Sequence, residues 1–514
     1  MGKKRARMAE RHSDRDRWIV LGLMILATVI RARGLTTSNL WLDEANSWQV
    51  ATDSWAGLFA NVLRSPLGPL YFVLLKSWIG VFGDSVLALR SLSLVASVAL
   101  IPVTYTLGVR LLSRPAALLA CSLLALSPLE LYFAQEARMY MLVSLLGAAC
   151  VLAYAGWRGD GDSGARSPRA QVMLWCYAVA GIALLFTHLV AGLLLVAINI
   201  DATVVLLRAR RSARDRLAWI GANAAIAIVV LFYLGSISAG SAVSSQAWRS
   251  PMGGEIALRA ALLLPFDAVH GQYFYPSDFW VAFTSLTHGS GFNRRFFELL
   301  IVQPAVLLVF VGALMAGHRA AAPRGGRRLL AIVLLVPALV VTIVSMTRGL
   351  EFPRYLLFVI PFLFLLLADG LLALGLRSRY TSIAVLVIAM LLGQRAERGV
   401  VSRDSDYRSS AELLLRDWRA GDRALIQPRE MNAPLRYYLG ASGPPVRGIA
   451  ADGSLVDEAR ALSAHRTWVI IDYRSPLYTI SPTEMAERFD APIALDEYTT
   501  DATAGVRVVL LNVR

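Results

Sequence analysis

The chain has 514 residues, of which 56% are hydrophobic and 17% charged, and a formal net charge of +15. Apolar residues gathered in long unbroken runs exclude an ordinary soluble domain and mark an α-helical polytopic membrane protein. The positive excess does not call for a nucleic acid, because the surplus arginines stand mostly in short loops between apolar runs, where they set orientation.

In chain order, a basic stretch, Met1–Arg17, precedes the apolar run 18–33, and no small-residue cleavage site follows it. The run is therefore expected to stay as a first helix. Just beyond comes Asn39-Leu40-Trp41-Leu42-Asp43-Glu44-Ala45-Asn46-Ser47-Trp48, two adjacent carboxylates between two tryptophans. Tryptophan anchors chains at the headgroup level, while an acidic pair opening a helix also serves as a cap. Residues 46–60 and 69–82 mix aromatic and polar groups over about a helix length and are expected to lie on the membrane surface.

Further spanning runs follow at about 86–110, 115–133, 139–156, 171–187, 189–207, 217–237, 297–317, 329–347, 354–375 and 379–394, eleven in all with the first. With the N-terminus inside, the arginine-rich loops around Arg110/Arg114, Arg158–Arg169, Arg208–Arg216, Arg319–Arg328 and Arg377/Arg379 all fall on one face. The other face receives 34–85, the turns at Gln135–Arg138, His188 and Arg348–Arg354, the loop 238–296, and the tail. Asp201 and Asp369, within or near the inner halves of their runs, read as helix-pairing residues. The cysteines Cys121, Cys150 and Cys176 lie in or beside apolar segments without ligand spacing and imply no disulfide framework. From about 400 the chain is charged, with strand-like runs at 423–427, 467–472 and 506–513 and a helix-like stretch at 409–417. This divides the chain into a transmembrane part, 1–395, and a small C-terminal α/β domain, 396–514.

The outer turns concentrate the chemically useful groups. Besides Asp43 and Glu44 they hold Glu136, Arg138 and Tyr140 in one tight turn, His188 in another, Arg348, Glu351, Arg354 and Tyr355 in a third, and Arg64 and Arg90 beside the first outer loop. Ionisable groups next to hydrocarbon are costly and tend to be functional. Arginine binds phosphate bidentately, and a carboxylate can take the proton of an attacking hydroxyl. A lipid phosphate at the headgroup level would place its reactive carbon there. One acidic pair supplies too few oxygens for a dedicated metal site, so no cofactor is expected beyond a transient divalent cation.

Three stretches, LWLDEANSW (Leu40–Trp48), PLYFVLLKSWIGVFGDSVLALRSLSLV (Pro69–Val95) and RPAALLACSLLALSPLELYFAQEARMYMLVSLL (Arg114–Leu146), carry a resemblance, as do FTHLV (Phe186–Val190) and FPRYLLFVIPFLFLLLA (Phe352–Ala368). They resemble the membrane glycosyltransferases of the GT-C class, specifically bacterial relatives of dolichyl-phosphate-mannose protein mannosyltransferase and of lipid A aminoarabinose transferase. The resemblance implies a polyprenyl-phosphate sugar donor, an inverting transfer to a lipid, glycan or protein hydroxyl, and a multi-pass protein of the bacterial inner membrane. Its active site and C-terminal domain would face the periplasm or exterior. The catalytic Asp of the first outer loop falls on Asp43, and Glu44, Glu136 and Arg138 match other polar positions. On this basis Asp43 is the expected general base and Glu44 an orienting group, since neighbours on a helix face different ways. Arg138, Arg354 and Arg64 would hold the leaving phosphate, with Tyr140, Tyr355 and His188 as further substrate contacts. Relatives usually carry His-Pro-Pro where this chain has Leu67-Gly68-Pro69, so no role passes to a histidine there. The alternative, a transporter or flippase of lipid-linked sugars, would favour internal repeats and midplane charges, and neither stands out.

Overall fold

A computed structural model describes residues 2–63, 67–159, 168–208, 212–240, 268–269, 303–317, 324–347, 354–399, 406–450, 454–461, 466–472, 493–498 and 506–513. Two compact units emerge: Met1–Arg33, Ser54–Val81 and Arg90–Arg398 form the first, and Gly34–Asp53, Phe82–Leu89 and Gly399–Arg514 the second.

The first unit is helical. In chain order its helices, with those that cross its boundaries, are α1 (Gly2–Ala32), α3 (Trp55–Val62), α4 (Pro69–Phe82), α5 (Val86–Leu111), α6 (Arg114–Leu126), α7 (Pro128–Ala134), α8 (Tyr140–Arg158), α9 (Pro168–Leu185), α10 (Gly192–Arg208), α11 (Ala213–Gly240), α12 (Gln303–Gly317), α13 (Arg324–Thr347), α14 (Ile360–Ala373) and α15 (Leu376–Gly399). Helix α2 (Leu42–Thr52) belongs to the second unit. Each of the eleven expected apolar runs contains helix among its described residues, with 115–133 broken at Ser127 and 354–359 forming a 3-10 turn. Among the described residues eight are long and apolar enough to cross a membrane, or nine if α6 and α7, bent by 58° at Ser127, count as one. The bend has a local cause: Ser127 precedes Pro128, which disfavours helical backbone before it, and Ser127 Oγ instead accepts the N–H of Glu130 to start a new helix. The chain is a multi-pass membrane protein.

Helix α14 is the buried centre, flanked by α6, α12 and α13, while α8 packs on α9 and α10 on α13. Gly370 lets α14 meet α12 backbone to backbone, since a β-carbon there would overlap the Ala313 carbonyl. Small residues serve this purpose in lipid, where close packing replaces the hydrophobic drive. Leu217, Ile220, Ile228, Leu231 and Phe232 stay exposed along α11, the apolar surface that lipid would cover.

Asp201 and Asp369 are buried and join helices, as their positions suggested. Asp201 accepts hydrogen bonds from Arg328 Nε at 2.9 Å and Tyr154 Oη at 2.8 Å and pairs with Arg158 at 3.3 Å. Arg327 Nε meets Asp369 at 2.6 Å.

The second unit is built on a five-stranded sheet of β1 (Arg423–Gln427), β2 (Arg447–Gly448), β3 (Thr467–Asp472), β4 (Ile493–Tyr498) and β5 (Val506–Val513), in the order β2-β1-β3-β5-β4. The first three strands run parallel, and β5 and β4 add antiparallel. Helices α16 (Tyr407–Asp417), α17 (Asn432–Leu439) and α18 (Leu455–Ala461) complete it. Trp468, Ile470, Ile426, Leu414 and Leu435 fill its core, and Leu42 of α2 is a member of that same core.

Candidate active site

The turn between α7 and α8 is pinned from both sides. Gln135 donates to the carbonyls of Arg31 and Arg33 at 2.8 and 2.9 Å, and Ser93 Oγ donates to the Arg138 carbonyl at 3.0 Å. This fixes Arg138 and Tyr140, both buried, at the start of α8, with the Arg138 guanidinium over the Tyr140 ring at 5.9 Å. Glu136 is buried in the same turn, and its carbonyl accepts the Arg138 N–H.

Opposite stands the turn after α9. Here Leu67 bridges His188 as an isolated antiparallel pair, and the Leu70 N–H donates to the Phe186 carbonyl at 2.9 Å. Gly68 is pressed so close to Phe186 that a β-carbon would overlap its carbonyl. Leu67-Gly68-Pro69 is thereby one side of a tight backbone contact that a larger residue at position 68 would break.

Tyr140, His188, Arg354 and Tyr355 line one pocket, walled by Val143, Val190, Ala191, Leu357 and Phe358. Four groups from three separate turns thus come together. The Tyr355 ring meets His188 edge-on at 5.5 Å, and the Arg354 guanidinium lies 6.0 Å from the Tyr355 ring centre. Burial, with Arg138 and then Arg354 nearby, pushes His188 down to about 4. Its Nδ1 accepts the Val190 N–H at 3.2 Å, so the neutral ring carries its proton on Nε2. The pocket combines one lining cation, Arg354, a neutral N–H donor and phenols on an otherwise apolar wall, with Arg138 acting on His188 from nearby. That suits an anion attached to an apolar body.

Asp43 and Glu44 open α2 in the second unit and differ sharply. Glu44 is fully buried and accepts the Trp41 N–H at 3.4 Å, capping the helix, while Asp43 is only partly buried. Arg64, Arg348 and Glu351 lie outside the described residues. Among the described residues no three of His, Cys, Asp and Glu gather closely enough to hold a metal ion. Sequence reasoning passed over the aliphatic walls, although helical spacing carries a signal: Val143 follows Tyr140 by three positions and Phe358 follows Arg354 by four.

No protein-family model and no curated protein matches the sequence. Solved structures do. ArnT from Cupriavidus metallidurans superimposes with TM-score 0.59 at 14% identity, over 96% of this chain and 98% of that one. The same protein bound to undecaprenyl phosphate gives 0.56 at 15% over the same shares. The Archaeoglobus fulgidus oligosaccharyltransferase tethered to an acceptor peptide gives 0.52 at 11%, over 94% of this chain and 73% of that one. All are GT-C glycosyltransferases. This chain has the GT-C fold. The likeness extends over nearly the whole chain, beyond the motif-bearing stretches.

Proposed function

We propose that this chain is an inverting glycosyltransferase that moves a sugar from a polyprenyl-phosphate donor to an acceptor hydroxyl on the outer face of a bacterial cell membrane. The observation that carries this is the pocket: Arg354, Tyr140 and Tyr355 against apolar walls around a neutral buried His188 on which Arg138 also acts. The GT-C fold, and the undecaprenyl phosphate held by the ArnT structure, support it.

The donor phosphate takes Arg138 and Arg354, and His188 Nε2–H adds a neutral donor. The isoprenoid tail needs only apolar helix faces. The acceptor oxygen attacks the anomeric carbon, its proton passes to Asp43, and the bond from the anomeric carbon to the phosphate oxygen breaks with its electron pair staying on the phosphate. The two guanidiniums stabilise the negative charge gathering there, each on the order of 3 kcal/mol in a water-excluded site. Asp43 holds the base role on the sequence resemblance and its partial exposure, while Glu44 shapes the helix that carries it.

The test offers the purified protein a nucleotide sugar and the matching polyprenyl-phosphate sugar side by side. Transfer from the lipid-linked sugar alone is the expected result. Consumption of the nucleotide sugar alone refutes the lipid-donor mechanism.

A further inference from the structure

The C-terminal sheet carries no member of the pocket, and its sequence suggested no role. Its contacts with the segment around Asp43 do. Asn39 Nδ2 donates to Asp406 Oδ1 at 3.2 Å, and the Leu40 N–H donates to Tyr438 Oη at 2.8 Å. Leu42 is buried in the core formed by Tyr407, Leu414, Leu435 and Trp468. Past Asp43, the Trp48 ring meets Tyr437 edge-on at 5.2 Å, and both residues converge on Asp84: Trp48 Nε1 donates to its carboxylate at 3.1 Å and Tyr437 Oη to its carbonyl at 2.9 Å. Anchors at 39, 40, 42 and 48 thus bracket an aspartate that itself stays partly exposed.

A helix of eleven residues is marginal in isolation. Tertiary contacts must hold it, and here, Asp84 aside, they come from residues more than 350 positions away. We propose that the C-terminal unit is the mount of the Asp43 helix, with Tyr438 as a positioning residue for the base. This rests on the assignment of Asp43 made above. A general base works only within hydrogen-bond reach of its proton, and a misplacement of about 1 Å can cost roughly 10²-fold. Tyr438 supplies an oxygen to a backbone N–H that would otherwise go unmet at the entry to α2.

The experiment compares Tyr438→Phe and Asn39→Ala with the parent in the full-length protein, using hydrogen exchange and steady-state transfer from a polyprenyl-phosphate sugar. Arg447→Ala, which removes an exposed ion pair with Glu458 in the same unit, is the control. Expected are faster exchange over residues 39–53 with the β1 and β3 amides unchanged, and a kcat lower by roughly tenfold or more at an unaltered donor KM. Unchanged exchange over 39–53 overturns the mount. Faster exchange across the whole sheet, or faster local exchange with parental kcat, overturns the positioning role. Asp43→Asn separates the two claims: parental turnover in that variant removes the base assignment, while the exchange data, which need no substrate, still decide the mount.

Discussion

At His188 a neutral imidazole stands beside two arginines. Its surroundings bring this about, since burial disfavours the cation and Arg138 and Arg354 add repulsion, lowering it from the ordinary 6.5 to about 4. The unfolded chain therefore binds a proton at this site that the folded chain refuses between those values. Stability at this position is full above about 6.5 and falls as pH drops toward 4. His188→Gln keeps a polar group and removes the titration. Thermal unfolding of the two proteins over that range is expected to show the parent losing stability relative to His188→Gln on acidification. Parallel curves would show that His188 is not held neutral. Asp43 and Glu44 show the complementary case: two adjacent acids, expected from their spacing to face different ways, differ in burial, one turned inward as a cap and one left partly exposed.

Among the elements, the segment around Gly68 makes the most exacting demand. The backbone of Phe186 occupies the space a side chain would need. Gly68→Ala is expected to destabilise by about 1–3 kcal/mol, the usual cost of overpacking, and to weaken transfer by parting the Leu67–His188 bridge. Gly80, exposed within α4 with nothing near its missing β-carbon, supplies the contrast: Gly80→Ala should stabilise by roughly 0.5–1 kcal/mol through helix propensity. Thermal unfolding in detergent checks both, and equal effects would discard the close-contact explanation. Much at this scale was legible beforehand. The run 69–82 has the bounds of α4, and 423–427, 467–472 and 506–513 those of β1, β3 and β5, because apolar periodicity there agrees with tertiary burial. The stretch 46–60 was read as one helix, yet Ser54 caps a second one by accepting the Gly57 N–H. Strand β4 escaped notice because Asp496 and Glu497 interrupt its apolar pattern, and its pairing with β5 is a tertiary fact. Helix α17 escaped because it is short and holds Pro434. In the pocket the polar members were visible as charges beside hydrocarbon, whereas Val143 and Phe358 look like any membrane residue until the turns are brought together.

For the whole molecule, three of the segments assigned to one side meet among the described residues of the helical unit. Arg110 donates to the carbonyls of Ala155 and Gly156, and Arg158 to that of Gly325. The pocket lies at the other end of α8, whose 19 residues measure about 28 Å, close to the hydrocarbon thickness of about 30 Å. Reporter fusions near Arg211 and Asp404 are expected to answer from opposite sides of the membrane. Finding both in the cytoplasm would rule out the proposed orientation. The division of the chain was less legible than its spans. A cut near residue 395 follows the change in composition, whereas 34–53 and 82–89 group with the tail through contacts that no local pattern announces.

Asp201 carries a consequence for how the protein is made. It joins Arg158 of α8 to Arg328 of α13, and synthesis delivers these in order, the second arginine 127 positions after the acid. In the proposed orientation, Arg158 would meet its partner early in translation, whereas Arg328 would reach the membrane later as an unneutralised cation that holds its loop in the cytoplasm. One charge would thus act first as a retention signal and then as a latch. A chain without Asp201 would thread correctly and fail to lock.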